Sequence, residues 1–290
     1  MMYRGSIVAL VTPFKTNFEI DFEAYGRLID FQLEHGTHGI VPCGCTGEAA
    51  TLSHDEQKRC VKLTVERVAG RVPVIAGTGS NNTKEAIDLT AYAKEVGADG
   101  ALLITPYYNK PTPAGQIAHY RTIAEQVDIP IMLYNVPSRT GTKMSPETIA
   151  ALSAIPNIVS IKEACGSVDQ VTQILALCDI NVVSGDDALA LPMMSIGATG
   201  VVSVAANVAP GKVAALCNEF DAGNLEGARA IHFELAPLCK ALFVETNPIP
   251  VKAMLADMGL IENVLRLPLV PLEAEVFATI RSVLKETVAV

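Results

Sequence analysis

The chain has 290 residues, a length that a single (β/α)8 barrel with a modest appendage fills. Half of the residues are hydrophobic and 18% are charged, which excludes a disordered or acidic solvating protein and suits a globular one with a large core. The net charge of -9, from 22 basic and 31 acidic residues with no basic cluster, excludes nucleic acid as an expected partner.

At the start of the chain, Met1-Met2-Tyr3-Arg4-Gly5-Ser6 leads into an apolar run, 7–11, that is too short for a signal peptide and lacks a small-residue cleavage site. No later stretch is apolar and long enough to span a bilayer, so no membrane partner is expected. The cysteines are odd in number, 7, and scattered with no Cys-x-x-Cys pair, a pattern of reduced thiols that points to the cytoplasm. Cys43 and Cys45 could begin a metal site, but no set of His and Cys completes it at ligand spacing, so no metal is expected.

A unit then recurs along the chain: a polar periodic segment, a pair of glycines, and a short β-branched or aliphatic run. It appears in His35-Gly36-Thr37-His38-Gly39-Ile40, in Val96-Gly97-Ala98-Asp99-Gly100-Ala101 and in Ile196-Gly197-Ala198-Thr199-Gly200-Val201. The first glycine suits a left-handed helix end, and the run after it suits a strand buried on both faces. The predicted strands are 6–11, 39–44, 72–77, 100–105, 130–135, 157–162, 181–185 and 199–204. Helical periodicity fills 24–34, 55–68, 83–96 and 116–127, with Ser53 and Thr83 among the expected caps. Strand alternating with helix predicts parallel strands with right-handed crossovers, and eight strands close a barrel. An open doubly wound sheet is the rival, but its Gly-x-Gly-x-x-Gly turn is missing after the first strand. Beyond about 207 the strands stop, and helices are expected at 224–244, 250–258 and 271–284. The fold class expected is therefore α/β, a (β/α)8 TIM barrel over 1–223 that carries the active site, with a C-terminal helical extension over 224–290.

In such barrels the reactive groups gather at the C-terminal ends of the strands. Strand six, Asn157-Ile158-Val159-Ser160-Ile161-Lys162-Glu163, delivers a lysine there directly after an apolar run. Burial of an ammonium depresses its pKa, and a neutral amine attacks a carbonyl. The plainer alternative pairs Lys162 with a rim carboxylate, Glu163 or Asp186. Other strand ends favour chemistry: Thr46 after strand two, Tyr108 after strand four, Tyr134 and Arg139 after strand five. Together these supply a nucleophile, proton-carrying hydroxyls and an anion clamp. The turn Gly44-Cys45-Thr46-Gly47-Glu48 could turn its N–H groups toward a carboxylate or carbonyl oxygen, or could be an ordinary tight turn.

Four segments stand in family order: Gly44-Cys45-Thr46-Gly47-Glu48, Thr105-Pro106-Tyr107-Tyr108-Asn109, Tyr134-Asn135-Val136-Pro137-Ser138-Arg139-Thr140-Gly141 and Ile161-Lys162-Glu163. On these segments the chain resembles the dihydrodipicolinate synthase family, within the N-acetylneuraminate lyase superfamily of class I aldolases. The likeness runs from Gly5-Ser6-Ile7-Val8 through Ser184-Gly185-Asp186-Asp187 to Asn247-Pro248-Ile249-Pro250-Val251-Lys252. It implies a Schiff-base lyase that condenses pyruvate with L-aspartate 4-semialdehyde in diaminopimelate and lysine biosynthesis, without a cofactor. It further implies that Lys162 forms the imine and that Tyr134 moves protons. The relay would run through Thr46, Cys45 and Tyr108, the last reaching in from a neighbouring subunit. Arg139 would hold the semialdehyde carboxylate, while Thr46, Val202 and Gly185 would line the substrate site. One departure is Cys45, since the family turn usually carries threonine there, and a thiol bonds over a longer distance and more weakly. The resemblance implies an L-lysine feedback site at His54, Asn81, Glu85 and Tyr107, with Gln57 where inhibited members often have histidine, and a homotetramer built as a dimer of dimers. Two other readings share parts of this pattern: an N-acetylneuraminate or keto-deoxy sugar acid lyase, and a non-catalytic pyruvate-binding barrel. The Arg139 guanidinium, which suits a small dicarboxylate better than a polyhydroxyl chain, speaks against the sugar acid lyases.

Overall fold

The eight predicted strands all form, each within a few residues of the expected span, because β-branched and aliphatic runs bounded by turn residues satisfy a strand buried on both faces. They are β1 Gly5–Ala9, β2 Gly39–Val41, β3 Ile75–Gly77, β4 Gly100–Ile104, β5 Ile131–Asn135, β6 Ile158–Glu163, β7 Asn181–Ser184 and β8 Gly200–Ser203. The structure is a computed structural model and describes residues 3–287. Every pairing is parallel, in the order β2-β1-β8-β7-β6-β5-β4-β3, and a parallel bridge between Ile40 and Val74 closes β2 onto β3. The sheet is thus a barrel, and the open doubly wound alternative falls.

Around it lie α1 Phe22–Glu34, α2 His54–Val68, α3 Thr83–Glu95, α4 Pro113–Gln126, α5 Pro137–Thr140, α6 Pro146–Ser153, α7 Val168–Leu177, α8 Ala190–Met194 and α9 Pro210–Asp221. Ser53 caps α2 in a reciprocal capping box with Glu56. The cap of α3 is a correction to the sequence reading. Asn82, whose side chain accepts from Lys84 N, is the cap, and Thr83 is already the first helical residue, its hydroxyl bonded instead to His119 Nδ1. Gly36, Gly97 and Gly197 take the left-handed conformation expected of helix ends, with φ of 77°, 88° and 117°.

Beyond the barrel follow α10 Leu225–Ala241, α11 Ile249–Asp257 and α12 Ala274–Thr287. Leu235, Leu238, Met254, Leu255, Ile280 and Leu284 from these helices share one apolar cluster with Val8, Ile40 and Val201 of the barrel strands. The two ends of the expected domain spans, 1–2 and 288–290, lie outside the described residues.

Strand alternation sets which side chains reach the barrel interior. Ile7, Ala9, Val41, Ile75, Leu102, Met132, Tyr134, Val183 and Val202 form the inner cluster. Ile131, Leu133, Ile158, Ile161 and Val182 belong instead to a cluster shared with the surrounding helices. Lys162 pairs in register with Tyr134 on one side and Val183 on the other, so it shares their inward phase at the C-terminal end of the barrel.

Candidate active site

The period of two that turns Lys162 inward turns Glu163 outward. Glu163 is fully buried there, where its carboxylate accepts from Asn135 Nδ2 at 3.0 Å, from Cys165 N at 2.9 Å and from Gln170 Nε2 at 3.3 Å. Asp186 is engaged as a cap, accepting from Ala188 N at 3.0 Å. Among the described residues, no carboxylate lies within 4.0 Å of the Lys162 amine. The plain reading of a rim ion pair is therefore not what the geometry holds.

Lys162 is 6% exposed, and its Nζ sits 4.2 Å from the centre of the Tyr134 ring. Burial pushes its pKa down to about 8; the nearby Cys45 and Asp187 oppose that fall, and the Arg139 guanidinium adds to it. Burial also drives the Tyr134 phenol well above its ordinary range, with the adjacent Cys45 thiol adding to the rise, so the phenol stays protonated at neutral pH. Thr105 fixes the Tyr134 backbone, its hydroxyl donating to the Tyr134 carbonyl at 2.8 Å. Gly185 leaves room for the lysine: a Cβ there would come within 2.6 Å of Ala164 Cβ and 3.0 Å of Lys162 Cε.

A cavity of about 500 Å³ opens at this end of the barrel, lined in part by Gly44, Cys45, Tyr134, Arg139 and Asn247. Thr46 is buried, and its hydroxyl accepts from Asn247 Nδ2 at 2.9 Å. Arg139, carried on the short α5 turn, donates to the Asn247 carbonyl at 2.8 Å and otherwise faces solvent. Val202 is fully buried in the inner cluster. Tyr108 stands apart from the rest, 90% exposed with a left-handed φ of 67°.

The same cavity continues to His54, Gln57, Glu85 and Tyr107. Glu85 accepts from Ser80 Oγ at 2.8 Å and from Asn82 Nδ2 at 3.1 Å, with His54 Nε2 3.9 Å away. Asn81 donates to the Tyr107 carbonyl at 3.2 Å. Gln57 turns its amide onto the Ala49 and Leu52 carbonyls.

Three residues that bear on the site escaped the sequence reading of roles. Asn247 bridges Thr46 and Arg139, and its Oδ1 is buried without a protein partner. Glu48 and Lys252 form an ion pair beneath the Gly44–Glu48 turn. The one available signal was their place inside matched segments, Glu48 closing the glycine-flanked turn and Asn247 and Lys252 bracketing Asn247-Pro248-Ile249-Pro250-Val251-Lys252.

Comparison with known proteins gives a consistent picture. The model of the dihydrodipicolinate synthetase family matches residues 2–287. The 4-hydroxy-tetrahydrodipicolinate synthase of Nitratidesulfovibrio vulgaris (strain DP4) is 54% identical over 287 residues, covering 98% of each chain. The crystal structure of dihydrodipicolinate synthase from Aquifex aeolicus superposes with a TM-score of 0.96 at 49% identity, over 98% of each chain. That of the chloride-inhibited dihydrodipicolinate synthase from Acinetobacter baumannii, complexed with pyruvate, does so with a TM-score of 0.96 at 46% identity, again over 98% of each chain. With an eight-stranded parallel barrel, a buried unpaired lysine on its sixth strand and relatives matched over nearly its whole length, the chain belongs to the dihydrodipicolinate synthetase family.

Proposed function

We propose that Lys162 is the Schiff-base nucleophile of a 4-hydroxy-tetrahydrodipicolinate synthase reaction, the condensation of pyruvate with L-aspartate 4-semialdehyde, a lyase activity of the class I aldolase type that is the activity of the family. The observation that carries the assignment is the state of the lysine: buried, with no carboxylate of the described residues within 4.0 Å, and shifted down to about 8, so that neutral amine is present near neutral pH.

The chemistry follows from the amine. Lys162 adds to the keto carbon of pyruvate, and loss of water gives the imine. The protonated imine then draws electrons as a proton leaves the methyl group, giving an enamine whose carbon attacks the aldehyde. The aldehyde oxygen takes up a proton, and the amino group of the second substrate displaces Lys162 by transimination, closing the ring. Tyr134 is the proton donor and acceptor, a role its protonated, buried phenol suits. Thr46 and Cys45 carry the relay onward, and Tyr108 completes it from a second copy of the chain, consistent with a phenol that is 90% exposed on its own subunit. Arg139 holds the carboxylate of the semialdehyde, while Thr46, Gly185 and Val202 shape the pyruvate pocket.

Glu85, with His54, Asn81 and Tyr107, forms an L-lysine site at the far end of the same cavity, where the carboxylate suits an ammonium. The protein works as a cytoplasmic homotetramer; no helix of the described residues is long and apolar enough to cross a membrane. Incubation with pyruvate and borohydride tests the assignment: a reduced adduct of pyruvate on the Lys162 peptide is expected. An unmodified Lys162, or full turnover after Lys162→Arg, overturns it.

A further inference from the structure

The turn that carries Cys45 and Thr46 adopts a backbone that its own residues disfavour. Cys43 and Glu48, neither of them glycine, stand at left-handed φ values of 56° and 53°, a conformation that costs free energy for L side chains. Gly47 is the tight point, since an added Cβ would come within 3.0 Å of the Leu10 carbonyl oxygen and 3.2 Å of Cys43 N. Such a turn keeps its shape only where its surroundings hold it.

The hold comes from the far end of the chain. Lys252 Nζ donates to Glu48 Oε1 at 2.5 Å and to the Thr12 carbonyl at 2.9 Å. Thr12 in turn donates through its hydroxyl to the Gly47 carbonyl at 2.7 Å, and the Arg266 N–H donates to Glu48 Oε2 at 3.2 Å. The two charged side chains are 0% and 1% exposed, and the Lys252 ammonium lies 4.2 Å from the centre of the Phe14 ring. A buried ion pair is a poor net stabiliser, because desolvating two charges offsets most of their attraction. Its value here lies in direction and register.

We infer that the Glu48–Lys252 ion pair is a positioning device for the reaction: it clamps the left-handed end of the Gly44–Glu48 turn to α11 and so fixes Thr46 and Cys45 against Tyr134 and Lys162. The segment that leads into α11 grips the turn a second time, where Asn247 donates to the Thr46 hydroxyl at 2.9 Å. Both charged side chains are buried beneath the turn, 0% and 1% exposed, and the inference rests on the proposed role of Lys162.

The experiment separates two steps in the full-length chain and in the variants Lys252→Met and Glu48→Gln. Borohydride trapping at saturating pyruvate reads imine formation on Lys162, which β6 places independently of the turn. Exchange of the pyruvate methyl protons with deuterated water, followed by NMR, reads the proton transfer that needs Thr46 and Tyr134. The variants are expected to trap pyruvate to within about twofold of the parent while proton exchange falls roughly ten- to a hundredfold, the loss that follows from a misplacement of about 1 Å. Folded variants whose exchange matches the parent, or whose trapping and exchange fall in parallel, overturn the inference. Should Lys252→Met not fold, Glu48→Gln, which keeps the shape and removes the charge, decides by the same two rates. A parent that neither traps nor exchanges overturns the reading of Lys162 itself, whereas a parent that does both, with variants that match it, overturns only the role of the pair.

Discussion

Lys162 differs from an ordinary surface lysine in what its surroundings withhold. Burial removes water and the Arg139 guanidinium adds a like charge, so against the opposing Cys45 and Asp187 its pKa falls from 10.5 to about 8. The sign of the consequence follows from which form reacts. Neutral amine attacks, so at limiting pyruvate the trapping rate should climb as pH rises through about 8 and then level, instead of climbing on past pH 10. A rate still rising at pH 10 would show that the amine is solvated. Stability moves in the same direction. Because the folded pKa lies below the unfolded value, the folded chain binds fewer protons between pH 8 and 10.5, and this group's penalty, full below about 8, is relieved as pH rises through that window.

At the scale of elements, the strand ends do the placing. β5 and β6 stand in register, Tyr134 beside Lys162, which brings the phenol and the amine together without any loop having to choose a conformation. The end of β7 contributes an absence of side chain. Gly185→Ala would drive a methyl group to 2.6 Å from Ala164 Cβ and 3.0 Å from Lys162 Cε. We expect turnover to fall at least about tenfold and the protein to lose about 1–3 kcal/mol, the usual cost of overpacking, read from steady-state rates and the urea midpoint. Unchanged turnover would mean that the lysine can retreat. These elements were legible in the sequence because their signals are local: an apolar run ending in Lys162, glycine pairs before strands, Ser53 as a capping residue. The cap of α3 was read one residue late because Asn82 and Thr83 are both good capping types, and only the backbone shows which one stands outside the helix.

On the scale of the whole molecule, the exposed Tyr108 gives the sharpest expectation. If its phenol serves the site of a second copy, each active site draws on two chains. Lys162→Ala and Tyr108→Phe should each be impaired as pure proteins, and mixed oligomers made by refolding them together should regain activity, since one site in the hybrid receives both intact residues. Mixing without any regain would place Tyr108 outside the catalytic relay.

The sequence by itself determined the barrel, the strand that bears Lys162 and most of the residues around it, because period-two alternation, turn chemistry and burial are written in neighbouring positions. Tertiary structure alone decided which groups meet these positions: that Asn135 takes up the Glu163 carboxylate, that Asn247 reaches Thr46, and that Lys252 closes on Glu48. The last two pairs lie 201 and 204 positions apart, and no local pattern encodes a contact that exists only once the barrel has closed and the C-terminal helices have packed against it.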